Sequence, residues 1–144
     1  MPHWVVAHDV EGLAAGVYRW PDLRAPVQAG ALRGELHRIC LDQALARDAA
    51  FVTIAAADIS GLDDREYRAA QLAAGLAEGR LHLAAYALGA SASGMTFLDS
   101  EVPPLLGEPL DALLFTCVGV PDYASSAAGP PGAPTRVRLV SARK

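Results

Sequence analysis

Hydrophobic positions along this chain follow two different periods. HWVVAH (His3–His8) and VYRW (Val17–Trp20) are short runs rich in β-branched and aromatic residues, separated by the turn-forming DVEGLAAG. Together they predict a β-hairpin. From Ala29 to about Ala46 the period turns helical: Leu32, Leu36 and Ile39 recur at helical spacing, with Arg33, Glu35 and Arg38 between them. AFVTIAAAD (Ala50–Asp58) and ALLFTCVGV (Ala112–Val120) are continuous apolar runs, the pattern of strands covered on both faces.

Between those two runs the helical period returns over about Arg65–Leu88, with Asp63 and Asp64 placed to cap its start. Leu72, Leu76, Leu83 and Tyr86 give this helix one apolar side, and alanines keep the rest of its surface thin. Gly75 and Gly79 are four apart and share a face. Each costs roughly 1 kcal/mol relative to alanine in a helix interior. Close approach of a partner helix is the expected compensation.

GASASGMTF (Gly89–Phe97) carries no charge and predicts a bare loop. DSEVPPLLG then predicts a short helix with Ser100 as N-cap and Gly107 at its end. PDYASSAAGPPGAP is a Pro/Gly/Ser linker, and TRVRLVS (Thr135–Ser141) alternates like an edge strand that pairs in its own sheet or in a neighbouring subunit. The order fits a mixed α/β or α+β layer protein, expected as one domain over residues 1–120 followed by a linker and edge-strand extension over 121–144.

Composition narrows the function classes. The chain has 144 residues, 52% hydrophobic and 19% charged, with a formal net charge of −4. Its 12 Lys and Arg are scattered, so no basic stripe points to nucleic acid. Its longest apolar run falls far below the roughly 18 residues that a membrane span requires, and the start does not resemble a signal peptide. Cys40 and Cys117 lie among apolar neighbours with no CxxC spacing, as expected of buried free thiols in a cytoplasmic protein.

Little side-chain chemistry is visible. His3 and His8 fall on opposite strand faces and cannot share a metal. His82 and Tyr86 are one helical turn apart and could form a polar patch, but a partly exposed helix face is the simpler reading. Asp58, Asp63, Asp64 and Glu66 are most simply a turn and a helix N-terminus. Ser91 and Ser93 lack a GxSxG frame, and no P-loop or HExxH is present. In GASASGMTF the small residues let backbone groups approach a flat ligand, with Met95 and Phe97 as apolar contacts. A tight interhelix loop explains the same residues, and both readings stand.

Three passages resemble the nitroreductase-like flavin oxidoreductases, nearest the thiazoline/oxazoline dehydrogenase branch. They are EGRLHLAAYALGA (Glu78–Ala90), ASGMTFLDSEV (Ala92–Val102) and the strand ALLFTCVGVP (Ala112–Pro121). The opening WVVAHDVEGLAAGVYRW is similar to that family's hairpin. The resemblance implies a nitroreductase-like mixed sheet packed by helices and truncated at the N-terminal side. It also implies FMN bound at a subunit interface, hydride exchange with NAD(P)H or a substrate, and a homodimer through the 65–88 helix. Ala92, Ser93, Gly94, Met95 and Thr96 would be flavin contacts, and the C-terminal extension would reach the other subunit. No catalytic side chain and no metal site are implied. The family's R-R-S-x-R phosphate segment has no counterpart here, so a chain supplying the N-terminal half is an expected partner. The alternative is a non-catalytic dimeric remnant or scaffold without cofactor, and a weaker one is a binding module for another flat ligand.

Overall fold

The computed structural model describes residues 1–122. The expected linker beyond Asp122 and the strand at 135–141 lie outside the described residues. Six strands form one sheet: β1 (His3–Ala7), β2 (Gly16–Trp20), β3 (Gln28–Ala29), β4 (Phe51–Ala57), β5 (Ser91–Met95) and β6 (Asp111–Gly119), in the order β3-β2-β1-β4-β6-β5. The helices are α1 (Arg33–Ile39), α2 (Ala44–Asp48), α3 (Asp64–Ala87) and α4 (Val102–Leu106), with a 3₁₀ turn at Asp99–Glu101.

The α+β expectation holds, but every named strand pair is antiparallel. The mixed sheet that the resemblance implied is therefore an antiparallel one among the described residues. β4 and β5 do run parallel to one another on either side of α3, but β6 inserts between them and runs antiparallel to both.

β4 and β6 are continuously apolar because both sheet faces are covered there. One face carries Trp4, Val6, Val52, Ile54, Phe115 and Cys117 into the main core with Leu36, Ile39, Val102, Leu105 and Leu106 of α1 and α4. The other face receives α3 through Ala74 against Ala55 and Leu113, and through Ala85 against Ala92 and Val118.

Two helix expectations change. The helix expected over 29–46 is two short helices, because Leu41 and Asp42 adopt left-handed backbone conformations (φ 58° and 57°) between them. Apolar periodicity continues across that break, so it does not show in the pattern. Ser100 is not an N-cap; it lies inside the 3₁₀ turn, and α4 starts at Val102 without a side-chain cap. Gly107 ends α4 in the left-handed region, as its position predicted.

α3 begins where expected. Asp63 accepts from the Arg65 and Glu66 amides while Glu66 reaches back to the Asp63 amide, a reciprocal capping box. Its apolar side, however, faces outward. Leu72, Leu76, Leu83 and Tyr86 are exposed, Leu83 at 71%. The thin alanine side is the one that packs on the sheet, since small side chains let the helix lie close to the strands. Gly75 and Gly79 sit within the exposed stripe, with nothing among the described residues near a hypothetical Cβ at either.

Candidate functional site

Bare as it is, GASASGMTF contains a strand. α3 ends at Ala87, and Gly89 takes the left-handed conformation (φ 76°) that turns the chain back. The Ala90 amide donates to the Ala85 carbonyl at 2.8 Å, fixing that reversal. β5 then pairs with β6 in the register Ser91↔Gly119 through Met95↔Phe115. Strand propensity is weak in a Ser/Ala/Gly run, so sequence pattern favours a loop; pairing with β6 overrides it.

The candidate flavin-contacting residues are consecutive on this strand and just beyond it, and their side chains go different ways. Ala92 packs beneath α3, and Met95 is buried in the opposite core. Phe97 stacks on Phe115 with ring centroids 4.5 Å apart. Met95 and Phe97 therefore anchor the segment inside the protein. What β5 presents outward is Ser93, Gly94 and, past its end, Thr96, together with its own backbone. β5 is the terminal strand of the described sheet, so alternate N–H and C=O groups along its outer edge have no strand partner among the described residues.

One side chain absent from the sequence reasoning enters here. A Cβ at Gly94 would lie 2.7 Å from Glu78 Oε1, so glycine at this position leaves room for the carboxylate between α3 and β5. His82 Nε2 lies 3.1 Å from the same oxygen, and the His82 ring meets Tyr86 edge-on at 6.0 Å. Where sequence favoured a plain helix face over a His82–Tyr86 patch, the structure has a row of three, begun by Glu78. The only sequence signal for Glu78 was its position one helical turn before His82.

At the β5–β6 end a cleft of about 620 Å³ is lined by Ser91, Ala92 and Ser93, with Tyr86 on one wall and Leu45 and Ala49 on the other. Its charged lining residues are Asp48 and Asp122. The carboxyl of Asp48 is held below the usual range, chiefly by the Arg47 guanidinium bonded to it at 2.7 Å. Arg33 is directed to backbone carbonyls, reaching Ala49 O at 3.3 Å. An FMN ring finds a flat, backbone-rich wall along β5. An FMN phosphate finds no Lys or Arg among the described lining residues, and it meets two carboxylates instead.

The remaining candidates resolve simply. Asp58 accepts from Ser60, and Asp63 and Glu66 serve the helix cap, so the acidic cluster is a turn plus a helix start. No cluster of three metal-ligating side chains occurs among the described residues. Cys40 and Cys117 are buried and unpaired, and burial pushes their thiols up to about 11 and about 12. Neither is a nucleophile at neutral pH. No described helix is long and apolar enough to cross a membrane.

No family model and no curated protein match the chain. Solved structures do. A protein of Anabaena variabilis described as a nitroreductase is 35% identical over 83% of this chain and 27% of its own length, with a TM-score of 0.76. The microcin synthetase complex McbBCD of E. coli matches 85% of this chain and 52% of its own, at 16% identity and TM-score 0.67. An NADPH:FMN oxidoreductase of Vibrio harveyi matches 75% of this chain and 56% of its own, at 19% identity and TM-score 0.57. The chain therefore spans about a quarter to a half of the length of these proteins. At the lower identities the likeness is one of fold. Taken with the 35% identity to the Anabaena protein, that fold identifies the chain as nitroreductase-like.

Proposed function

We propose that this chain forms one wall of an FMN site in a flavin-dependent oxidoreductase of nitroreductase type. The ring would lie along the outer edge of β5, against the backbone of Ala92, Ser93, Gly94, Met95 and Thr96. The observation that carries this reading is the open backbone edge of β5, anchored from behind by Met95 and Phe97. When bound, FMN supplies hydride acceptance and donation, with NAD(P)H as the electron donor, and the protein orients it. The chain's part is to hold the ring edge by backbone hydrogen bonds and to exclude water from one side.

The phosphate is held elsewhere. A phosphate requires charge-assisted hydrogen bonds, which the carboxylate-lined cleft does not provide. Cations from outside the described residues, on another segment or a partner chain, complete the site. A second copy docks through the exposed stripe of α3, which brings two such walls together.

Titrating the purified chain with riboflavin and with FMN, read by flavin fluorescence, tests this division of labour. Both should bind weakly and within a few-fold of each other, because nothing here rewards the phosphate. FMN binding far more tightly would place a phosphate site within this chain. Absence of binding by either would favour the second reading, a cofactor-free scaffold of this fold, which the acidic cleft also suits.

A further inference from the structure

α2 has five residues and no side-chain cap at its start, too little to hold a helix alone, because nucleation is costly and few bonds repay it. The Ala49 amide donates to the Leu45 carbonyl at 3.0 Å. Carbonyls at the end of a helix have no partner within it, and here two side chains from other elements take them. His8 Nε2–H, just past β1, donates to the Ala46 carbonyl at 3.1 Å. Arg33 Nη1, at the start of α1, donates to the Arg47 carbonyl and, at 3.3 Å, to the Ala49 carbonyl. This clamp sets one wall of the cleft, because Leu45, Asp48 and Ala49 of that wall lie on α2 and its C-cap.

The two halves of the clamp differ in one respect. Arginine stays charged, whereas histidine titrates near neutrality. Bonded to a carbonyl through Nε2–H, the neutral His8 ring has a lone pair on Nδ1, and Nδ1 is buried with no partner among the described residues. Protonation puts an N–H there with no acceptor to meet it. Burial is the largest influence and disfavours the charged ring; the Ala46 bond favours it, and the Arg33 charge disfavours it again. The other charged or titratable groups on the surrounding segments are Asp9, next in the chain, the Arg47–Asp48 ion pair of α2, and His37 of α1, which lies 3.5 Å from Asp42.

We infer that His8 is a proton-operated latch on this wall: neutral, it holds α2 in place, and protonated, it lets α2 go and widens the cleft. In the released state the ring is back in water, so acid favours release. The change is confined to α2, because backbone bonds hold the chain just beyond it. The His8 and Asp9 amides both donate to the Ala50 carbonyl at 2.9 Å, and the Ala50 amide donates to the Val118 carbonyl at 2.9 Å. The latch acts on the cleft whatever the cleft holds, so it and the flavin wall can fail separately.

Amide hydrogen exchange of the intact chain tests the latch. Between pH 7 and pH 5 the protection factors of Asp48 and Ala49 should fall at least about tenfold more than those of Val52, Ile54 and Phe115. His8→Gln offers an amide N–H near the position of Nε2 and does not titrate. In that variant the extra fall should vanish while far-ultraviolet circular dichroism stays native. A fall shared equally with the strands would overturn the proposal, by making it a loss of global stability. So would an extra fall that persists in His8→Gln, or no fall at all. The native chain supplies a check that needs no variant. Its His8 ring signal and Asp48 amide shift should titrate with one midpoint, below the usual 6.5 of histidine. An Asp48 midpoint that follows the His37 ring instead would assign the effect to the His37–Asp42 pair and overturn the latch.

Discussion

Gly94 is the point at which a helix side chain lies against the candidate ligand edge. A methyl group there would meet Glu78 Oε1 at 2.7 Å, and the atom in the way is the tip of a flexible side chain. Gly94→Ala should therefore cost little, about 1 kcal/mol or less, by swinging Glu78 away from His82. With Glu78→Ala already present the same change should cost less still. A double-mutant cycle by urea denaturation should give a coupling of about 0.5–1 kcal/mol. Strict additivity would show that Glu78 does not occupy the space above Gly94. His8 is a second informative residue. Its Nε2–H donates to the Ala46 carbonyl at 3.1 Å, while Nδ1 is buried without a partner among the described residues. Burial lowers its pKa from the usual 6.5, the Ala46 bond works the other way, and the nearby Arg33 charge lowers it further. The unfolded chain thus takes up this proton at higher pH than the folded one, so His8 costs stability increasingly as pH falls below about 6.5. The urea midpoint should drop between pH 7 and pH 5, and more shallowly in His8→Asn. An identical slope in both would remove His8 as the cause.

α3 is the element whose role depends most on which face is considered. Gly75 and Gly79 mid-helix are destabilising in isolation, and nothing among the described residues comes within 4 Å of a Cβ placed at either. Flanked by exposed Leu72, Leu76, Leu83 and Tyr86, they make a stripe that a second α3 can approach closely. In sedimentation velocity the native chain should dimerise with rising concentration, and Gly79→Leu should shift it to monomer with an unchanged circular dichroism spectrum. A dimer of undiminished strength would place the interface elsewhere. The sequence showed where this helix begins, since Asp63 and Glu66 form a local capping signal. It could not show which side turns to the sheet, because period reports that apolar residues share a face, not what that face meets. β5 was hidden for a related reason. Nothing in SASGM favours a strand over a loop, and the decision lies with β6, some twenty residues away along the chain.

At the scale of the molecule, the fold class, the central apolar strands and the buried thiols were legible, because each depends on composition within a short window. The break at Leu41 and Asp42, the outward stripe of α3 and the carboxylate above Gly94 were not, because each is set by contacts distant in sequence. The same distinction explains the division of the proposed site. In the proposal, residues 92–96 would provide a ring wall that one strand can make alone. The phosphate-binding cations would converge from elsewhere, since the cleft beside this strand has carboxylates among its described lining residues.

Amide chemical shifts of the ¹⁵N-labelled chain during titration with riboflavin, which dispenses with the phosphate, test the ring wall most directly. The expected result is saturable shifts confined to the amides of Ser91–Thr96 and their β6 partners. Shifts at Val5, Thr53 and Leu81 instead, or none at saturating riboflavin, would contradict a flavin wall on β5.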